Sequence, residues 1–111
     1  MTGNQITAEE LNEKIKAGLK PEEIIIDVRT IGECAKGMIP GAKNIPVSDI
    51  MVRKNELENY KNIYLYCLSG SRSELAQLQL QSAGSKANIY SLTSGLLAWR
   101  AGGFLMNESN A

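Results

Sequence analysis

Histidine is absent from this chain of 111 residues, and cysteine occurs twice, as Cys34 and Cys67. Without an imidazole there is no Cys-His or Ser-His catalytic pair, and two soft ligands are too few for a zinc site. One cysteine pair makes no disulfide framework, and a chain this long with a core of its own needs none. Charge of either sign is not in excess. Twelve basic residues offset twelve acidic ones without a basic block, so no global field recruits nucleic acid or an anionic membrane. No run approaches the ~20 apolar residues of a membrane span, and the polar start Thr2-Gly3-Asn4-Gln5 is unlike a secretory leader. What remains is an ordinary globular composition, 43% hydrophobic and 22% charged. The expectation is one domain over 1–111, core about 6–104, in the cytoplasm, with no metal and no cofactor.

Patterning along the chain alternates strand and helix. Thr7 with Glu10 three residues on predicts a capping box, opening a helix whose stripe is Leu11, Ile15 and Leu19 and whose end is Gly18. Glu23-Ile24-Ile25-Ile26-Asp27-Val28 predicts a strand buried on both faces, as in parallel sheets. Ile39 to Pro46 is broken by Pro and Gly into a turn and a very short strand. Ser48-Asp49 is read as the cap of a helix running to about Tyr60. Asn62 to Cys67 is a second buried strand, Arg72 to Ala83 a helix closed by Gly84, Asn88 to Leu92 a last strand, and Leu96 to Ala101 a last helix. Leu78-Gln79-Leu80-Gln81 alternates like a strand, but the Ser-rich start and Gly stop favour helix. The polar tail 107–111 is expected to fray. Such alternation implies an α/β fold, with a central mostly parallel sheet of about five short strands between layers of helix.

Chemistry concentrates at Tyr66-Cys67-Leu68-Ser69-Gly70-Ser71-Arg72-Ser73. Here an apolar strand ends in a cysteine, and a Gly/Ser loop leads into a helix. Ligands of parallel sheets bind beyond the carboxyl ends of the strands. A thiol there lies at the positive end of a helix dipole, where backbone N–H groups stabilise a thiolate and any anionic sulfur attached to it. Gly70 permits an inward turn of successive N–H groups. Ser69, Ser71 and Ser73 add hydroxyl donors, and Arg72 adds a charge. The bland alternative is a cysteine serving as a small buried hydrophobe before an ordinary Gly/Ser connector.

Four motifs, in order and spacing, make the chain resemble a single rhodanese domain from about Ile6 to Phe104. They are Ile26-Asp27-Val28-Arg29 with Glu33, the run Gly37 to Pro46, the loop Cys67 to Ser73, and Leu92-Thr93-Ser94-Gly95 with Ala98-Trp99 and Gly102. The resemblance implies the three-layer rhodanese fold and sulfur transfer. Cys67 would take sulfane sulfur from thiosulfate or a persulfide donor, hold it as a persulfide, and pass it to a thiol, cyanide or carrier-protein acceptor. Leu68, Ser69, Gly70, Ser71, Arg72 and Ser73 would cradle the outer sulfur. Four residues separate Cys67 from Arg72, whereas the similar phosphatases have five to ring a tetrahedral phosphate. No acid is assignable for the leaving group either. The alternatives are a non-catalytic binding or scaffold module and, behind it, a phosphatase or arsenate reductase.

Met38 stands where that family commonly has histidine, and Ser94 replaces the first glycine of its Gly-Gly pair. Asp27 and Arg29 are expected to brace strand ends through charged hydrogen bonds, with Glu33 partnering Arg29. Trp99 is expected to pack. Cys34 reads as a partly buried small residue, with a resolving thiol as the sharper alternative.

Overall fold

The computed structural model describes residues 4–108. The three isoleucines build β2 (Glu23–Asp27), and the second apolar run builds β5 (Asn62–Tyr66). These strands pair in parallel over their full length, Glu23 opposite Asn62 and Asp27 opposite Tyr66. β6 (Asn88–Leu92) flanks β5 on its other side, with β1 (Asn4–Ile6) beyond it; the short β4 (Lys43–Asn44) lies beyond β2. Every pairing in this five-stranded sheet is parallel, in the order β1-β6-β5-β2-β4. A central strand of such a sheet must be apolar on both faces. In β5, Ile63 and Leu65 enter one core layer while Tyr64 and Tyr66 enter the other.

Helices cover both faces, as the alternation predicts. α1 (Ala8–Ala17) and α4 (Gly95–Ala101) bring Leu11, Leu96 and Trp99 against Tyr64 and Tyr66. α3 (Ser71–Ser82) lays Ala76 and Leu80 over Ile63 and Leu65. The capping box of α1 is present: Glu10 N–H donates to Thr7 Oγ1 at 3.1 Å, and Thr7 N–H donates to Glu10 Oε1 at 2.9 Å. In α3 the apparent alternation gives way to helical spacing, since Leu80 is buried with Ser73, Ala76 and Gln77 while Leu78 is exposed.

Two expectations fail. The stretch from Ser48 to Tyr60 is not a helix but two 3-10 turns, Val47–Asp49 and Lys54–Leu57. Arg53 between them takes φ −104° and ψ 11°, outside helical geometry. Only Ile50 and Leu57 of the stretch are fully buried, with Tyr60 packed at the core's edge, so no continuous apolar stripe supports helix packing. The tail also begins ordered. β7 (Asn107–Glu108) pairs antiparallel with β3 (Gly37–Met38), through main-chain bonds that composition does not register. Residues 109–111 lie outside the described residues. No described helix is long and apolar enough to cross a membrane.

Candidate active site

Cys67 is the first residue past the carboxyl end of β5, the central strand. The chain turns there over four residues into α3. At the turn Gly70 takes φ 113°, a region L side chains avoid, and its N–H donates to Cys67 Sγ at 3.0 Å. Ser73 Oγ lies 3.7 Å from Sγ, placed to accept the thiol proton, and its own hydroxyl donates to Gly70 O at 3.0 Å. The first main-chain bond of α3 runs from Glu74 N–H to Gly70 O, also at 3.0 Å. The N–H groups of Ser71, Arg72 and Ser73 precede it, and no side chain caps the helix. These three, with those of Leu68 and Ser69, have no acceptor among the described residues. Free N–H groups at a helix start are donors of the kind that anions meet in proteins.

Convergence on the sulfur itself is narrower than the sequence predicts: one amide, Gly70, reaches it. The reason is strand parity. Cys67 continues the alternation of Ile63 and Leu65, so its side chain points into the α3 layer, 1% exposed, beneath the loop.

The loop is held from below by α4. Leu96 N–H donates to Cys67 O at 2.9 Å and Leu97 N–H to Leu68 O at 3.1 Å, so the two carbonyls receive the first turn of that helix. Such close approach requires glycine at position 95, where φ is 55°. A Cβ there would stand 2.5 Å from Cys67 O and 2.6 Å from Leu68 O. Ser94 before it also takes a positive φ, 58°, so the serine that departs from the family's paired glycines adopts a backbone suited to glycine.

Asp27 and Arg29 pair as expected. Arg29 Nη2 and Nε donate to Asp27 at 2.8 to 3.1 Å, and Nη2 also donates to Gly37 O at 2.7 Å. Burial opposes the Arg29 charge, but bonding to Asp27 more than offsets it and raises the guanidinium further. The expected partnership of Glu33 with Arg29 is not found. Glu33 reaches from α2 (Ile31–Cys34) to Arg72, at 2.7 and 3.0 Å, because Asp27 already occupies the Arg29 fork. The Arg72 hydrogen bonds hold the Glu33 carboxyl down to about 2, against an ordinary 4.5. With the folded value depressed, the stabilisation is complete above pH 4.5 and lost as pH falls through about 2. A carboxyl NMR titration should therefore place the Glu33 midpoint near 2, and an ordinary midpoint would mean that the pair is not held in solution.

Cys34 is not brought to the loop. It lines a cavity of about 260 Å³ with Gly37, Met38, Ile39 and Asn107, and no loop residue borders it. Burial, and then the Asp27 carboxylate, pushes its thiol up to about 12, so it is protonated at neutral pH. Trp99 packs as expected, 1% exposed, with Nε1 donating to Leu105 O at 3.0 Å. Sequence reading missed Ser91. Its Oγ lies 2.7 Å from Ser73 Oγ, and the only signal was a serine among the apolar residues of a buried strand.

Residues 7–102 match the model of the Rhodanese-like domain. The chain belongs to the rhodanese-like domain family. A sulfurtransferase of Allochromatium vinosum is 32% identical over 96 residues, covering 86% of this chain and 87% of its own. The structure of a rhodanese-related protein from Thermoplasma volcanium superposes with a TM-score of 0.81 at 30% identity, over 94% of this chain and 97% of that one. A Rhodopseudomonas palustris protein described as a possible tyrosine phosphatase gives a TM-score of 0.86 at 24% identity, over 95% and 85% of the two chains, a likeness of fold alone. The rhodanese α/β fold expected from the four motifs is thus the fold observed.

Proposed function

We propose that this rhodanese domain is a sulfurtransferase that carries sulfane sulfur as a persulfide on Cys67. The observation supporting this most directly is the uncapped start of α3, with free N–H groups on Leu68, Ser69, Ser71, Arg72 and Ser73 in the loop over a sulfur bonded to Gly70 N–H. The Cys67 thiolate attacks the outer sulfur of thiosulfate; the donor's S–S bond breaks and sulfite leaves with the electron pair. The new outer sulfur carries the negative charge and is received by the loop's N–H groups. An acceptor thiolate, or cyanide, then attacks that sulfur and Cys67 departs as thiolate. A persulfide donor enters the same cycle with a thiolate as leaving group. No external oxidant or reductant is needed, and such thiol chemistry suits the cytoplasm. Asp27 and Arg29 brace the end of β2 beside the loop, and Glu33 fixes Arg72.

The loop length supports sulfur over phosphate, with four residues between Cys67 and Arg72. Donor preference follows from charge. Arg72 is the loop's sole cation, and Glu33 partly cancels it, while Leu68 at the mouth is apolar and 40% exposed. Affinity for doubly charged thiosulfate is therefore modest, and a small thiol or carrier protein is the fitting acceptor. Glu33→Gln should lower the thiosulfate KM by about two- to fivefold, the scale of one partly exposed ion pair. An unchanged KM would remove Arg72 from donor binding.

One observation favours a binding module with idle chemistry: the near-complete burial of Cys67. Mass spectrometry after incubation with thiosulfate, or with a small persulfide, separates the two readings. A one-sulfur gain that disappears in Cys67→Ser is the expected outcome. No gain with either donor would leave the module.

A further inference from the structure

Ser91 is a hydroxyl residue in the core. In β6 it shares the face of Ile89, turned toward α3, and is fully buried between β1 and β5. A buried hydroxyl costs free energy unless it is bonded, so a local reason for it is required. The partner of Ser91 Oγ is Ser73 Oγ at 2.7 Å, itself fully buried and 3.7 Å from Cys67 Sγ.

The proton inventory limits how this pair can be arranged. Ser73 has one hydroxyl hydrogen and two acceptor sites. That hydrogen can go either to Gly70 O at 3.0 Å or to Ser91 Oγ at 2.7 Å; when it goes to Gly70 O, Ser91 is the donor across the contact and the remaining acceptor site faces the Cys67 thiol. That arrangement satisfies the protonated sulfur and opposes the ionised one, which would meet a lone pair. A rotation of the Ser73 hydroxyl reverses this: its hydrogen leaves Gly70 O and points to the thiolate. Gly70 O is not orphaned, because Glu74 N–H still donates to it at 3.0 Å. The Ser91 hydrogen bond stays in place through the rotation and polarises the Ser73 O–H toward the sulfur.

We propose that Ser91 is a positioning residue of this site, donating to Ser73 so that the Ser73 hydroxyl stabilises the Cys67 thiolate. This rests on Cys67 acting as a thiolate, the starting point of the sulfur-transfer reading, and adds a residue of another strand to its control. Ser91 does not touch the sulfur and acts through Ser73 alone. The charged group whose field reaches the sulfur is Arg72 on α3, with Glu33 paired to it from α2, while the Asp27–Arg29 pair at the end of β2 lies by Tyr66 in the opposite layer. Tyr66 turns its hydroxyl to Ile39 N–H in the opposite core layer. All of these are retained in the variants below.

The test reads ionisation without any sulfur donor, so it answers even for a protein that never takes up sulfur. Thiolate ultraviolet absorbance is titrated with pH for each variant, as the difference from the same variant carrying Cys67→Ala, which cancels tyrosine and Cys34. In Ser91→Ala the ionisation constant of residue 67 should fall about 1.5- to 4-fold, the share that a polarising partner adds to one charge-assisted hydrogen bond. In a Ser73→Ala background the same change should have no further effect. Ser91→Thr, which keeps the hydroxyl, should titrate like the unmodified protein. An unchanged midpoint in Ser91→Ala, an equal drop with and without Ser73, or a Ser91→Thr profile matching Ser91→Ala would each overturn the proposal.

Discussion

Gly95→Ala should cost the domain about 2–5 kcal/mol of stability and nearly all of its sulfur loading. Two independent terms add. A side chain at φ 55° carries roughly 1–2 kcal/mol of backbone strain. The new methyl would also stand 2.5 Å from Cys67 O and 2.6 Å from Leu68 O, an overlap whose relief costs about 1–3 kcal/mol. The neighbours are main chain, so no side-chain rotation relieves it. Either α4 backs away, breaking the bonds from Leu96 and Leu97, or the loop rises and carries Cys67 with it. Both displace the sulfur relative to the free N–H groups, so activity should fall by more than stability alone explains. Thermal melting together with mass-spectrometric sulfur loading would show this; full loading in Gly95→Ala would mean that α4 does not set the loop.

Asp27→Ala should cost about 3–5 kcal/mol, because it leaves Arg29 buried without its counter-ion. The carboxylate also accepts the Arg29 main-chain N–H at 2.9 Å, and that bond is lost as well. Arg29 links β2 to the Gly37 carbonyl, so the segment that leads to β4 loosens with it. At about 4–8 °C per kcal/mol for a domain of this size, the melting temperature should drop by more than about 12 °C. Replacing both residues by apolar ones, Asp27→Leu with Arg29→Met, should recover much of the loss, since no charge is then stranded. A double variant no better than Asp27→Ala would show that the bonds to Arg29 N–H and Gly37 O matter more than the buried charge.

Much of this architecture was legible in the sequence. Ile24 to Ile26 and Ile63 to Tyr66 had to lie between two covered faces, because uninterrupted apolar runs have no solvent side. Thr7 with Glu10, and Gly18 after them, marked α1 through hydrogen bonds that span three or four residues. The Cys67 loop was legible for the same reason: strand end, glycine turn and helix start are consecutive in the chain. Illegible were the choices among several suitable partners. Glu33 had Arg29 four residues away and took Arg72 instead, thirty-nine residues on, because Asp27 had filled the nearer guanidinium. Ser48 to Tyr60 carried a plausible cap and no clear stripe, and packing of Ile50 and Leu57 alone could not sustain a helix.

By itself the sequence determined an α/β alternation of strand and helix and a loop cysteine at a helix start, since these follow from short-range periodicity and contiguous residues, while the four motifs carried the likeness to rhodanese domains. Tertiary structure alone decided which way the Cys67 sulfur faces, which acid neutralises Arg72, and that Ser91 and Gly95 reach the loop from β6 and α4. Those depend on strand parity, on competition for a guanidinium, and on how closely two main chains approach, none of which is encoded in neighbouring residues.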